Sequence, residues 1–365
     1  MTDTRSAPDA FTIDTTALGR WMDTEKLPGA GVPVLTRLSG GSQNELFLVE
    51  RDGIRAVLRI PPVTAGEARF DGLRRESRLL RALRGADLPH AEFVAGADDP
   101  GVLGAPFYLM QPVDGWSPMG HGQWPEPFES DLEQRRGLAF ELVRGAALLS
   151  KVDWEQRGLT GFGRPENFHE RQVDRWLSFL GKYQFRDLPG LEQAGDWLRA
   201  HRPHHWSPGI MHGDYQFANV MYAHGAPARL AAVIDWEMTT IGDPLLDLGW
   251  VLISWPPEGD DMTRYVNLDG MPSRDELLKH YEEISGRSTE DIDYYVILAR
   301  WKLGIVLEMS YAKLQSGGTV DPKVAAFGPL VLELIRKAAE LSRTAHAAKA
   351  ACGRREEGVR NGLRG

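Results

Sequence analysis

The amino-acid sequence predicts an α+β fold in two lobes, a small antiparallel β lobe followed by a larger helical one. Three observations predict it. Apolar runs with a period of two crowd into residues 32–60 and return at 106–110. From about residue 129 the apolar spacing changes to three and four and stays mostly helical to about 348. Between them, Gln111-Pro112-Val113-Asp114-Gly115 has the composition of a hinge. The 365 residues suit two domains or one large two-lobed unit, and a 42% hydrophobic content can build a sizeable core.

Taken in order, Asp14 caps a helix over 15–26 whose apolar side is Leu18, Trp21 and Met22. Val32–Leu38 and Glu45–Glu50 are strands joined by the small-residue turn Ser39-Gly40-Gly41-Ser42-Gln43-Asn44. Arg51-Asp52-Gly53 is a hairpin turn, and Ile54–Ile60 is the third strand, closed by Pro61-Pro62. A helix over Glu67–Arg84 and a strand over Pro106–Met110 complete the first lobe. Helices then follow at 129–150, 167–183, 190–200, 244–255, 273–286, 289–315 and 322–348, with Ser273 and Glu276 as a capping box. A strand-like interruption lies between Ile210 and Asp235. The expected organisation is a lead-in with a helix (1–29), a β lobe (30–112), a helical lobe (113–342) and a flexible basic tail (343–365).

Charge and composition exclude several function classes. Lys and Arg number 42 against 51 Asp and Glu, a net charge of −9, which argues against binding nucleic acid through its phosphates. The single cysteine, Cys352, permits neither a disulfide framework within the chain nor a Cys-based zinc site. Met1–Thr16 has no apolar leader, and Leu245–Trp255 is too short to span a bilayer and contains Asp247. The expectation is a cytoplasmic protein without a membrane partner. There is no P-loop, no Rossmann fingerprint, no nucleophile elbow and no H-E-x-x-H. His201, His204 and His205 read as a solvated linker around Pro203.

The chemistry is carried by Met211-His212-Gly213-Asp214-Tyr215-Gln216-Phe217-Ala218-Asn219, then Val233-Ile234-Asp235-Trp236-Glu237, then Gly242-Asp243-Pro244-Leu245-Leu246-Asp247. A hairpin of Val220–Tyr222 with Leu230–Ile234 would bring Asp235 back beside Asn219. Two carboxylates and an amide oxygen then converge at strand ends, the hard oxygen set that Mg²⁺ takes together with substrate phosphates. An aspartate, an asparagine five residues on and a second aspartate at a strand end form the core of protein-kinase-like phosphoryl transfer. Asn219 and Asp235 are the expected metal ligands, Asp214 the catalytic base and His212 an orienting residue. Asp243 reads as a helix cap, and Asp247 as a structural hydrogen-bonding partner of the loop.

The first lobe adds independent support. Val57 and Arg59 share one face of the third strand, so Val57 would line an adenine pocket while Arg59 reaches phosphate oxygens. Glu76 lies on the apolar stripe of Leu73, Leu80 and Leu83, where an inward charge needs a partner, and Arg59 is the natural one. Ser39, Gly40, Gly41 and Ser42 would cover phosphates with backbone N–H groups. Pro112 has no N–H, so the Gln111 carbonyl and the Val113 amide are the expected adenine partners.

These residues resemble the signature of the aminoglycoside phosphotransferase and choline-kinase-like family, over roughly residues 30–340. Val57-Leu58-Arg59 with Pro61-Pro62, Val152-Asp153-Trp154, Arg171-Gln172 with Arg175-Trp176, and Asp235-Trp236-Glu237 are similar to the kinase domain fused to, or encoded beside, certain acyl-CoA dehydrogenases. The resemblance implies a protein-kinase-like two-lobed fold and ATP- and Mg²⁺-dependent phosphorylation of a small-molecule hydroxyl. The subgroup implies a hydroxyacyl-CoA acceptor and a functional link to an acyl-CoA dehydrogenase. Arg59 stands where antibiotic kinases usually carry Lys, which weighs against an aminoglycoside acceptor, the alternative. A CoA-type acceptor would need local cations, and Arg171, Arg175, Lys182, Arg300 and Lys302 are the candidates. A non-catalytic nucleotide-binding scaffold would have lost a metal ligand or the base, and here all three residues are present.

Overall fold

The structure is a computed structural model that describes residues 13–38, 44–119, 123–255, 266–317 and 322–362, with side chains of the last helix described over 324–345. Five antiparallel strands form the first lobe: β1 (Val34–Leu38), β2 (Glu45–Arg51), β3 (Ile54–Ile60), β4 (Phe93–Ala97) and β5 (Phe107–Met110), in the order β1-β2-β3-β5-β4. One sheet face, with Phe47, Val49, Ala56, Leu58, Ile60, Phe107 and Leu109, packs on Leu18, Trp21 and Met22 of α1 (Thr15–Thr24). Asp14 caps that helix by accepting the Ala17 N–H at 2.9 Å. Arg51, almost wholly buried, staples α1 to the β2–β3 hairpin through the Gly19 and Gly29 carbonyls and an ion pair with Asp23.

Strand β4 escapes the sequence reading because Phe93-Val94-Ala95-Gly96-Ala97 hardly alternates in polarity. Its small residues have a packing reason: a Cβ on Gly96 would lie 3.0 Å from the Tyr108 Cβ and 3.1 Å from the Phe107 carbonyl oxygen.

Helix α2 (Glu67–Leu83) belongs to both lobes. Phe70 joins the first core, whereas Leu73, Leu79, Leu80 and Leu83 join the second. Arginines on its outer side tie it down: Arg75 donates to the Thr239 carbonyl at 3.1 Å, and Arg78 to those of Gly158 and Thr160 at 2.8 and 3.0 Å. A helix anchored in this way fixes the position of Glu76.

The second lobe contains α3 (Leu132–Lys151), α4 (Phe168–Leu180), α5 (Leu191–Ala200), α6 (Leu245–Ile253), α7 (Arg274–Ser285), α8 (Ile292–Gln315) and α9 (Pro322–Gly362). Every residue of α6 is buried, so it is the central rod of this lobe. Ser273 and Glu276 form the expected capping box at α7. The last helix continues to Gly362, through most of the segment read as a loose tail. Ala, Lys, Arg and Glu dominate 345–357 and no Pro interrupts it, so local propensity favours helix even without an apolar face. Among the described residues no helix is long and apolar enough to cross a membrane.

Two short ribbons carry the motif residues. β6 (Gly209–Met211) pairs with β9 (Thr240–Gly242), and β7 (Val220–Tyr222) pairs with β8 (Leu230–Val233). The second is the expected hairpin; the first pairing joins segments too distant in the sequence for local pattern to reveal.

Candidate active site

The loop between β6 and β7 is held from below at four points. The buried Asp247 carboxylate on α6 accepts the His212 N–H at 2.6 Å and the Gly213 N–H at 2.9 Å. The Lys302 ammonium on α8 donates to the Gly213 carbonyl at 3.0 Å. The His212 Nε2 lies 2.9 Å from the Ile234 carbonyl oxygen, so that nitrogen carries the proton and donates. The Tyr215 hydroxyl donates to the Leu142 carbonyl at 2.8 Å. Gly213 has a φ of +86°, and a Cβ there would come within 2.5 Å of the Met238 carbonyl oxygen, so a larger residue cannot take this turn.

The turn presents Asp214 to the cleft. Its Oδ1 accepts from the Gln216 side-chain amide at 2.7 Å, and its Oδ2 from the Asn219 amide at 2.8 Å. Burial raises the Asp214 carboxyl above its ordinary range, while Asn219, Lys302 and Gln216 pull it back. With its side-chain nitrogen committed to Asp214, Asn219 keeps its side-chain oxygen open for another partner.

The hairpin register places Asp235 next to this pair. Val220 opposes Val233, and the Ile234 N–H donates to the Asn219 carbonyl at 3.0 Å. Asp235 follows at once, in the left-handed region with a φ of +63°, with its side chain open to the cleft. Such a backbone is unusual outside glycine and is typical of functional turns. The Asp235 Oδ1 lies 3.7 Å from the Arg59 guanidinium, and the Arg59 Nε lies 3.1 Å from the Glu76 carboxylate. Glu76 also accepts a hydrogen bond from Tyr108, the register partner of Arg59 on β5. Burial alone would lower the Arg59 pKa, yet Glu76, Tyr108, Asp235 and Glu237 together hold it above its ordinary value. Burial raises Glu76, against the pull of Arg59.

The Asp214–Asn219 pair is thereby joined, through the Ile234 backbone bond, to the chain of contacts Asp235, Arg59 and Glu76. Val57 is buried on β3 and paired with Met110 of β5, at the edge of the hinge. The Gln111 N–H donates to the Glu92 carbonyl at 2.8 Å, which leaves its own carbonyl for other partners, and Val113 lies half-buried two residues on. Ser39, Gly40, Gly41 and Ser42 lie outside the described residues.

A scan of family models matches residues 34–278 to the phosphotransferase enzyme family. The chain belongs to this family. Among curated proteins it is similar to acyl-CoA dehydrogenase family member 11 of Gallus gallus, at 28% identity over 87% of this chain and 42% of that protein. It is also similar to the viomycin phosphotransferase of Streptomyces vinaceus, at 27% identity over 52% of this chain and 66% of that one. The chain spans less than half the length of the first curated relatives it matches. A Ralstonia eutropha structure provisionally assigned as an aminoglycoside phosphotransferase has a TM-score of 0.78 at 27% identity, covering 91% of this chain and 99% of that one. An aminoglycoside phosphotransferase solved with AMP-PNP and hygromycin B shares the fold, with a TM-score of 0.58 at 16% identity, covering 89% and 98%.

Sequence reasoning missed Gln216 and Tyr108 as parts of this candidate site, and took Lys302 for an acceptor cation instead of a support beneath the loop. Gln216 lies inside the motif, and the i, i+2 reach to Asp214 was the available signal. Lys302 had none, because only folding brings α8 under the loop. The structure corrects two of the residues considered for an anionic acceptor: Arg300 and Lys302 are buried within α8 and cannot meet a ligand at the surface. Glu237, on the same short turn as Asp235, adds a carboxylate near Arg59, Arg69 and Asp214.

Burial pushes the Lys302 ammonium down to about 8, with Asp214 and Asp247 opposing the fall. The Trp176 and Trp250 rings each lie 5.2 Å from its nitrogen. Lys302→Met keeps the volume and removes the donor to Gly213 and the charge beneath Asp214. The expected result is a kcat lower by about tenfold or more, from a lost hydrogen bond involving a charge, with KM for ATP little changed. Steady-state kinetics beside a melting curve checks it.

Glu76→Ala leaves Arg59 and Tyr108 without their buried partner. A loss of about 3–5 kcal/mol is expected for breaking such a pair, read by urea denaturation, together with weaker nucleotide binding. Glu76→Gln, which still accepts from both, should retain most of the stability.

Burial pushes the His212 imidazole down to about 4 from 6.5. The unfolded chain therefore binds more protons between these values, and the stabilising contribution is complete above pH 6.5 and lost as the pH falls through 4, by up to about 3 kcal/mol. Denaturation midpoints of the wild type and His212→Gln should converge over that window as the pH falls.

Proposed function

We propose that the chain transfers the γ-phosphoryl group of ATP to the hydroxyl of a small molecule with Mg²⁺ as cofactor, and that the acceptor is a hydroxyacyl-CoA thioester. The observation that carries it is Asp214, gripped by two side-chain amides at the cleft, with Asn219 and Asp235 beside it and the Arg59–Glu76 pair facing them. The donor set fits the metal: a carboxylate and an amide oxygen at neighbouring strand ends are hard ligands that leave places for phosphate oxygens. Bound ATP and Mg²⁺ supply the transferable group and neutralise its charge.

Each residue then has a task that its geometry permits. Asn219 and Asp235 would hold the metal. Arg59, fixed by Glu76 and Tyr108, clamps phosphate oxygens, to which a guanidinium can bond in pairs. Asp214 accepts the hydroxyl proton and orients that oxygen; its two amide partners limit the directions it can face. His212, buried and donating to Ile234, keeps the loop in register with β8. Positioning and charge neutralisation supply most of the rate.

A CoA-type acceptor is supported by likeness to proteins named as acyl-CoA dehydrogenase family members, and a functional link to such a dehydrogenase belongs to the same proposal. An aminoglycoside acceptor is the second reading, favoured by the acidic second lobe: residues 116–342 carry 23 basic and 33 acidic side chains, net −10. The deciding experiment measures ATP consumption with hydroxyacyl-CoAs, aminoglycosides, choline-like alcohols and sugars side by side, using Asp214→Ala as the blank. Turnover of an aminoglycoside and not of any thioester would overturn the CoA assignment.

A further inference from the structure

Beside the catalytic loop is a cavity of about 350 Å³ walled by Gly163, Arg164, Arg171, Arg175 and Thr240. Its position follows from backbone register. Thr240 pairs with Met211, the residue before His212, so this wall is one strand from the Asp214 turn. Gly163 brings the arginine-bearing segment onto that strand, because a Cβ there would lie 2.5 Å from the Ile241 nitrogen and 2.6 Å from its carbonyl oxygen. Arg175 lies over the Trp176 ring, which in turn faces Lys302 under Gly213.

The three guanidiniums are uncompensated. Among the described residues none of them has a carboxylate within salt-bridge distance, while Arg199 on the neighbouring α5 takes both Asp174 and Asp196. Arg171 is held instead by backbone carbonyls of Arg164, Glu166 and Asn167. That fixes its charge in place without cancelling it. Arg164 and Arg175 are exposed on the rim. Three unpaired cations around one concavity are out of place in a lobe whose net charge is −10. Guanidiniums are matched to phosphate oxygens in shape and charge.

We propose that this cavity is the subsite for the phosphate groups of the acceptor, holding them while the hydroxyl end reaches Asp214. The inference rests on Asp214 marking the acceptor side of the cleft. It requires a substrate with phosphate groups at one end and the reacting hydroxyl at the other.

The test is calorimetric and needs no turnover. With AMP-PNP and Mg²⁺ saturating the nucleotide lobe, coenzyme A is titrated into the wild type and into Arg164→Gln/Arg175→Gln, which leaves the loop-holding Arg171 intact. The wild type should bind, and the variant should bind about tenfold or more weakly, the equivalent of a charged hydrogen bond lost. Arg164→Lys/Arg175→Lys should recover part of the affinity. Pantetheine, without phosphates, should not bind at this site, and inorganic diphosphate in place of coenzyme A distinguishes a general phosphate site from one that takes the whole molecule. Equal affinity in wild type and variant, or displacement of AMP-PNP by coenzyme A, overturns the proposal. Failure of the CoA-acceptor assignment appears separately, as absent turnover of hydroxyacyl-CoAs in the ATP-consumption screen.

Discussion

Asp214→Ala is expected to lower kcat by about a thousandfold or more while ATP·Mg²⁺ binding stays near the wild-type value. General-base help is worth about 10²–10⁴ in rate, and Asp214 also orients the oxygen that attacks. The expected ligands of the metal are Asn219 and Asp235, neither of which is removed. Asn219 loses an acceptor for its amide nitrogen but keeps the Asp214 backbone carbonyl at 2.8 Å, so it has a reason to stay in place. Asp214→Asn probes the same role more gently, since it keeps the shape and removes the basicity. Single-turnover kinetics and nucleotide titration by fluorescence separate the two effects. Turnover within tenfold of the wild type in both variants would remove Asp214 from the mechanism.

Asp247→Ala should damage the fold of the same loop without touching substrate. This carboxylate is buried in the first turn of α6, where the helix end favours negative charge. Its two oxygens accept the backbone N–H groups of His212 and Gly213. Burial pushes its pKa up to about 7, against the pull of those two donors and of Lys302. Truncation leaves two buried donors unsatisfied and a buried ammonium short of one counter-charge. At about 1–3 kcal/mol for each unsatisfied group, the variant should lose several kcal/mol in denaturant titration. Its kcat should fall with its stability, because the Gly213 turn that aims Asp214 depends on these bonds. Asp247→Asn keeps one acceptor oxygen and should fall between the two. A variant as stable as the wild type would show that the loop holds its shape by other means.

The two predictions differ in how far the sequence could supply them. Asp214, Asn219 and Asp235 were legible because a turn and a hairpin bring them together, and the β7–β8 register follows from local pattern. The Arg59–Glu76 pair was legible for a different reason: a carboxylate on an apolar stripe must find a cation, and the third strand offers one. The capping of α1 and α7 and the limits of most helices were equally local. Strand β4 was not legible, since its small residues answer to Phe107 and Tyr108 across the sheet and not to a period of their own. The continuation of α9 was hidden because a helix made by propensity alone shows no apolar spacing.

From sequence alone came the two-lobed α+β plan and the β7–β8 hairpin that returns Asp235 to the neighbourhood of Asn219, since each depends on spacings short enough for the backbone to enforce. Folding alone decided what surrounds that hairpin. It put Lys302 and Arg300 inside the second lobe, where the chain order had offered them as surface cations, and it gathered Arg164, Arg171 and Arg175 around one cavity beside β9. Burial and the pairing of charges are properties of packed helices, and no stretch of sequence contains the neighbour that will be packed against it.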